Sequence, residues 1–418
     1  MVTELARDGF VDVVPVLALV SLLVTAYLHP PEWVEAVVAI AAAAAVLLTG
    51  ALDRGDLSAE RRHLLPVVLF LMAILVVAEC CRAAGLFTAI GSRLADAGPA
   101  RRTFTLTFAV ASLTTVALSL DATVVLVTPV VLAAAVGLGV DRRPFQLVCV
   151  RLANTASLLL PVSNLTNLLA VPALGLSFGR FAVLMAPVWL FALVVEYVVH
   201  RVWFRKQLAE PATPRTTEHR PLPHAVLTVV ALMLVGFALG SVRSVDPAWV
   251  AGTAAVVLTV RGTVRGELGF AGAVRSTHAP FALFVLALGL VVAALDTGPF
   301  GRVLADLVPR TPGLASLFAV AFLGAVLSNL VNNLPATLLL VPLAAPLGAT
   351  AVLATLVGIN LGSSMTWSGS LANLLWRRSV LHHGGVVSSR DFHAVALLAT
   401  PVSIVGGVLL LHSWHGVG

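Results

Sequence analysis

Charge is scarce in this chain. Only 11% of its 418 residues are Asp, Glu, Lys or Arg, whereas soluble domains carry about 25%. So few charges cannot cover a surface that meets water on every side, and a soluble globular domain is excluded. Lysine is nearly absent: of 26 basic residues, Lys206 alone is not arginine. A phosphate-binding P-loop needs a lysine after a glycine-rich loop. Lys206 sits in RVWFRKQLAE with no glycine nearby, which argues against a primary pump. Cysteine is limited to Cys80, Cys81 and Cys149, all in or beside apolar runs, with no CxxC spacing. A disulfide framework and a thiolate metal site are therefore not expected, and these read as buried free thiols. The zinc-hydrolase pattern HExxH is missing, and His382-His383 stands in an arginine-rich loop without further ligands. No metal, cofactor or enzymatic activity is expected. The net charge of +6 comes with no basic stripe interleaved with aromatics, so a nucleic-acid partner is not expected. The positive charge suits cytoplasmic loops facing anionic membrane lipids.

What the chain has in abundance is apolar sequence. It is 59% hydrophobic, with a mean hydropathy of +1.00. Apolar runs of membrane-crossing length fall near 11–28, 34–50, 64–81, 103–120 and 178–199, then near 224–241, 246–261, 279–296, 312–330 and 391–412. Shorter or broken pieces lie at 121–138, 144–175, 333–347 and 349–376. The expected fold is an all-α polytopic membrane protein with about 10–12 transmembrane helices, including re-entrant hairpins and broken helices at the midplane. No small-residue cleavage site follows Val11–Leu28, so that run reads as a retained span. The bacterial cytoplasmic (inner) membrane is the expected location.

Two stretches repeat each other. Asn154–Leu169 (NTASLLLPVSNLTNLL) and Asn360–Leu375 (NLGSSMTWSGSLANLL) align without a gap at an offset of 206 residues. They are identical at Asn154/Asn360, Ser157/Ser363, Leu165/Leu371, Asn167/Asn373, Leu168/Leu374 and Leu169/Leu375. A second match pairs Leu75-Val76-Val77-Ala78 with Leu290-Val291-Val292-Ala293, and Leu94-Ala95-Asp96 with Leu304-Ala305-Asp306. The chain thus divides into a first repeat at 1–200, a cytoplasmic basic linker at 201–223 containing Pro211, Pro214, Pro221 and Pro223, and a second repeat at 224–418. Inversion of the repeats requires an odd number of crossings in each; we expect inversion, although the re-entrant pieces leave the count open. Duplicated polar, helix-weakening segments at matching places in two hydrophobic halves mark a secondary transporter's midplane site.

The candidate chemistry lies in these segments. Asp121, between Val116–Leu120 and Val124–Val127, is a carboxylate at a depth where charge is costly. It suits a proton-coupling group, and equally a helix cap. Glu79 is the second candidate, with Arg82 one turn away as a ready partner. Glu196 is expected to face a bundle partner or the interface. Unwound backbone inside a membrane survives only where it lines a cavity or is buried in protein, and Pro161 in one copy and Ser368 and Gly369 in the other weaken their helices. Ser163, Asn164, Asn167, Ser368, Ser370 and Asn373 are the candidates for a substrate cavity, with Asn154 and Asn360 supporting the broken backbone. Asn332 and Asn333 are candidate cation or substrate ligands beside Asp121. The same Ser, Thr and Asn residues would also serve to bind packed helices together. Neither cluster contains Arg or Lys.

At these segments the chain resembles the bacterial arsenite efflux permeases of the ion-transporter superfamily. The resembling pieces are Ala78-Glu79 through Gly85-Leu86-Phe87, Leu120-Asp121 with Leu126-Val127-Thr128-Pro129, Asn154-Thr155-Ala156-Ser157 with Val162-Ser163-Asn164-Leu165, Asn332-Asn333-Leu334-Pro335, and Gly369-Ser370-Leu371-Ala372-Asn373-Leu374-Leu375-Trp376. Two positions depart from that pattern: the family's Asn-Asp pair begins here with Leu120, and its Thr-Pro appears as Thr366-Trp367. The resemblance implies export of arsenite or antimonite in exchange for protons, a cytoplasmic arsenite-stimulated ATPase as partner, and a homodimer. An uncharged trihydroxide substrate agrees with clusters that lack cationic side chains. A sodium/proton antiporter or a divalent-anion carrier of the same superfamily is the alternative.

Overall fold

The computed structural model describes residues 2–28, 30–50, 52, 54–212, 220–243 and 245–415. Among them the chain is helical, with no strand. The first half runs α1 (Val2–Leu28), α2 (Glu32–Thr49), α3 (Arg54–Ala83), α4 (Leu86–Ala95), α5 (Ala100–Ala117), α6 (Leu120–Ala122), α7 (Thr128–Gly137), α8 (Arg143–Thr155), α9 (Leu165–Leu174) and α10 (Phe178–Trp203). The second runs α11 (His224–Val242), α12 (Pro247–Val264), α13 (Phe270–Arg275), α14 (Ala279–Thr297), α15 (Pro299–Leu307), α16 (Leu314–Val331), α17 (Asn333–Ala344), α18 (Ala349–Gly362), α19 (Leu371–His382) and α20 (Ser389–His415). Apart from the short α13, the two series match in order, with α6 and α7 together corresponding to α17.

Among the described residues eight helical stretches are long and apolar enough to cross a membrane, among them Leu120–Gly137, which spans α6 and α7. The shorter apolar segments of α1 and α11, Val13–Leu28 and His224–Gly240, bring the number to ten. The remaining apolar pieces are 10–17 residues long, and the polar stretches end Ala349–Met365 and begin Leu165–Leu174. Helix α10 continues through Arg201 to Trp203, so the expected linker starts inside a helix. Residues 213–219 of that linker, with Pro214, lie outside the described residues.

The outer helices exchange partners between the halves. α2 packs along α14, and α12 packs along α3. The inner elements form two hairpins and two broken helices. α5 turns at Leu118-Ser119 into α6, which continues through a π-helical turn at Thr123–Val127 into α7. Ser119 caps the new helix by accepting from the Ala122 N–H at 3.2 Å, which leaves Asp121 within the first turn. α16 turns in the same way into α17 at Asn332, a non-glycine residue with φ of +77° whose side chain accepts from the Leu334 N–H. With ψ at 159° this backbone lies outside the left-handed helical well, in a region that is essentially glycine's and costs other residues about 1–3 kcal/mol.

One end of the bundle is tied by polar contacts between halves. Arg142 donates to the Gly384 carbonyl at 2.8 Å, and Trp376 Nε1 to the Gln146 carbonyl at 2.8 Å. Arg143 pairs with Asp141 and reaches Asp391. Burial opposes ionisation of Asp141, but the hydrogen bonds and charge of Arg143 outweigh it and hold the carboxyl below the usual carboxylate range.

α16 and α18 pack with their backbones in contact. A Cβ on Gly324 would meet the Thr355 carbonyl oxygen at 2.9 Å, one on Gly362 would meet Ala325 Cα at 2.5 Å, and one on Gly358 would collide with the Ala321 carbonyl. Small residues that let backbones approach are a common device for membrane helices, where apolar burial alone gives no drive for association. Gly358→Val is expected to part these helices and to destabilise the protein by about 1–3 kcal/mol, the usual range for overpacking. A fall in melting temperature in detergent, larger than that of Gly137→Val on open helix surface, checks this.

Candidate functional site

The breaks in the two long helices lie against the tips of the two hairpins. Between α8 and α9 the chain makes single 3₁₀ turns at Ala156–Leu158 and Pro161–Ser163. Between α18 and α19 it makes one at Ser363–Met365. Each break exposes carbonyls, and in each an asparagine collects them. Asn167 Nδ2 donates to the Ser157 and Leu160 carbonyls at 2.8 and 3.0 Å. Asn373 Nδ2 donates to the Ser363 and Thr366 carbonyls, both at 2.8 Å. All four acceptors obey the 206-residue offset. The restarted helices are capped alike, Asn164 Oδ1 accepting from Thr166 N–H and Ser370 Oγ from Ala372 N–H.

The same residues join the two halves. Asn154 Nδ2 donates to Asn373 Oδ1 at 2.9 Å, and Asn360 Nδ2 to Asn167 Oδ1 at 2.8 Å. These are two copies of one bond, related by exchange of the repeats. Asn360 Oδ1 also accepts from Thr166 Oγ1 at 2.7 Å and Asn164 Nδ2 at 3.1 Å. Asn154, Asn167, Asn360 and Asn373 have no exposed surface, and Asn164 is 3% exposed. These five candidates are thus brought together, with their amides engaged by protein.

The other candidates are distributed around this seam. Ser163 donates to the Val116 carbonyl at 2.9 Å, tying the first break to the first hairpin. At the second break, Asn332 donates to the Ser368 carbonyl at 3.1 Å. Asn329 donates to the Gly362 carbonyl at 2.8 Å and accepts from Thr366 Oγ1 at 2.7 Å. Ser370 and Asn333 are buried, while Ser368 is exposed. Glu79 pairs with Arg82 at the end of α3 and does not line the cavity that holds Asp121. Trp367, which stands where the first copy has Pro161, stacks on Phe392 of α20 with ring centroids 3.8 Å apart.

Asp121 is placed differently from the asparagines. It lines a cavity of about 390 Å³ together with Glu32, Glu35, His278, Phe281 and Arg378. Among the described residues its carboxylate has no hydrogen-bond or ion-pair partner. This cavity lies between the first hairpin, α19 and the outer helices α2 and α14.

One residue at the seam escapes sequence reasoning. Arg151, one turn before Asn154, is 1% exposed. Its guanidinium pairs with Glu196 of α10, which is equally buried, and donates to the Ser364 carbonyl and hydroxyl at 3.0 and 2.7 Å and to Thr400 Oγ1 at 3.0 Å. The polar clusters are thus not without a cation nearby. Glu196 faces a bundle partner as expected, and that partner is Arg151. The only sequence signal was a lone arginine inside an apolar run, VCVRLAN.

Paired hairpins whose tips meet paired broken helices across a shared polar seam define a polytopic membrane carrier. Residues 17–357 match the family model described as citrate transporter, and the chain belongs to that family of transporters. An arsenical pump membrane protein of Escherichia coli is 29% identical over 277 residues, which cover 61% of this chain and 64% of that protein, less than two thirds of its length. A putative arsenical pump membrane protein of Bacillus subtilis (strain 168) is 22% identical over 435 residues, covering 95% and 98%. Among solved structures, the Alcanivorax borkumensis YdaH transporter, described as having an unusual topology, aligns with a TM-score of 0.57 at 18% identity over 88% of this chain and 90% of that one. That likeness concerns the fold. The resemblance read from the residues agrees with these relatives.

Breaking a buried ion pair by removing one partner typically costs about 3–5 kcal/mol, while removing both costs far less. Glu196→Gln is therefore expected to lower thermal stability strongly, and Arg151→Met with Glu196→Met to recover most of the loss. Additive losses in the double variant would show that the two side chains do not act as a pair.

Proposed function

We propose that this protein exports trivalent arsenite or antimonite across the bacterial inner membrane in exchange for protons. The observation that carries the reading is the contrast between an asparagine-rich seam and Asp121, a carboxylate that has no hydrogen-bond or ion-pair partner among the described residues and faces a cavity it shares with Glu32, Glu35, His278 and Arg378. A carboxylate in that position, where charge is expensive, suits a coupling role. The named relatives are arsenical pumps, and an uncharged trihydroxide needs no cationic group to hold it. Citrate, by contrast, calls for cationic groups or open helix N-termini. Arg151 is taken by Glu196, Ser364 and Thr400, and the N-termini of α9 and α19 are taken by Asn164 and Ser370.

The two halves act in this reading as an inverted repeat. The start of α8 meets the end of α19, as the bonds from Arg142 to Gly384 and from Trp376 to Gln146 make plain. Equivalent broken helices that run in opposite directions support inversion. The basic residues at that end, including Arg201, Arg205 and Lys206, favour the cytoplasmic side. A homodimer and a cytoplasmic arsenite-stimulated ATPase belong to the reading through the resemblance alone. Sodium/proton exchange is the second reading, favoured by Asn332 and Asn333 at the second hairpin tip.

Everted vesicles carrying the purified protein and acidified inside are expected to accumulate arsenite saturably, with little uptake when the gradient is collapsed. Asp121→Asn is expected to abolish the gradient-driven part while the protein stays folded in the membrane. Proton release on adding Na⁺, with no arsenite uptake, would move the protein to the cation-exchange reading. Wild-type exchange by Asp121→Asn would remove that residue from coupling.

A further inference from the structure

The cavity that holds Asp121 has two unlike parts. Its walls are apolar: Leu75, Val125, Leu371 and Leu375 line it together with Phe281 and Phe284. The two phenylalanine rings are stacked, with centroids 6.3 Å apart and planes 12° from parallel. Its charged lining is Asp121, Glu32, Glu35, His278 and Arg378. His278 Nδ1 lies 3.1 Å from Glu32, and these two side chains are 50% and 61% exposed. Arg378 is exposed as well, so solvent reaches all three and weakens their pull on anything inside. Three carboxylates face one guanidinium and one imidazole, and the lining is net negative even with His278 protonated.

An occupant has to satisfy both parts. A bare metal ion needs several oxygen ligands at once, and no group of three or more His, Cys, Asp or Glu side chains is placed to hold one among the described residues. A neutral hydrocarbon chain would cover the walls but leave Asp121 without a partner. A solute as small as arsenite would leave most of the walls bare, so the cavity's shape speaks for a second ligand. At about 390 Å³ it is at the small end of ligand pockets, which run roughly 300–1,000 Å³ and combine apolar, aromatic walls with a few polar groups.

From this combination of walls and charge we infer that the Asp121 cavity binds a lipophilic monovalent cation, a quaternary ammonium or phosphonium carrying bulky hydrocarbon groups. The Asp121 carboxylate supplies the counter-charge, the leucines and Val125 cover the hydrocarbon, and the Phe281 ring adds cation–π attraction. A large ion wrapped in hydrocarbon is also cheaper to take out of water than a compact one, because the Born cost falls with ionic radius. A cation seated there covers Asp121 and blocks whatever that carboxylate exchanges. The inference uses the cavity alone and does not rest on arsenite or on proton exchange.

Equilibrium dialysis of radiolabelled tetraphenylphosphonium against the purified full-length protein in detergent, with protein-free micelles as background, tests it. Saturable binding of one cation per chain is expected. Asp121→Asn is expected to weaken it by roughly tenfold or more, the loss of one charge contact away from bulk water. Phe281→Ala is expected to weaken it about twofold to fivefold, as a lost cation–π contact would. Asp246→Asn, which removes a carboxylate from a different cavity, is expected to bind like the parent. Tetraphenylborate, alike in size and shape but negative, is expected not to compete. Val125→Cys gives a readout that needs no change at Asp121: the position is 47% exposed, and tetraphenylphosphonium is expected to slow its labelling by a maleimide. Binding no greater than to micelles, equal binding by Asp121→Asn, or equal competition by tetraphenylborate overturns the site. Loss of arsenite exchange in protein that still binds the cation would instead count against the transport reading and leave the site standing.

Discussion

The cross-pairing of asparagines between the two broken helices is the interaction on which the rest of the structure depends. A helix interrupted inside a membrane leaves N–H and C=O groups with no water to take them, at a cost of several kcal/mol each. Asparagine answers this in a short side chain that carries two donors and an acceptor. Asn167 spends its donors on the carbonyls of its own break and its oxygen on Asn360 of the other half. Asn373 does the same with Asn154. One residue type, used twice, both holds each break and joins the halves, so neither half is complete without the other.

That arrangement shapes what else the centre can do. With the amides of the seam engaged by protein, Asp121 stands apart as a carboxylate lining its own cavity. The Arg151–Glu196 pair has no equivalent in the other repeat, because the position 206 residues after Arg151 is Val357. It ties the 3₁₀ turn at Ser364 to α8 and α10 of the first half. Each break is hydrogen-bonded to its own hairpin, and the second is anchored in addition by this buried ion pair.

Much of this was legible in the residues. The two polar stretches could be aligned because the same carbonyl-collecting geometry demands asparagine at the same place, so Asn167 and Asn373 repeat. Pro161 and Gly369 marked the breaks because neither favours a helix interior. The span pattern was readable because hydrocarbon imposes a length. Arg151 was not legible, since nothing local distinguishes an arginine held by a glutamate 45 residues on from one that snorkels to the interface. Asn329 sat in a polar patch but gave no sign that it would grip Gly362 and Thr366. Glu79 looked like a buried acid from its apolar flank, and Arg82, readable as its partner one turn on, is the residue that pairs with it.

The sequence by itself determined the class of the protein, its duplication and the places where its helices break, because those follow from hydrophobic length, helix propensity and periodicity, which are local. Only the tertiary structure decided which polar groups meet: Asn154 with Asn373 across 219 residues, Arg151 with Ser364 across 213, Asp121 with a cavity lined from both halves. Those pairings depend on how the outer helices exchange partners and on which carbonyls each break leaves exposed. Both are set by packing between distant segments, which a linear pattern does not encode.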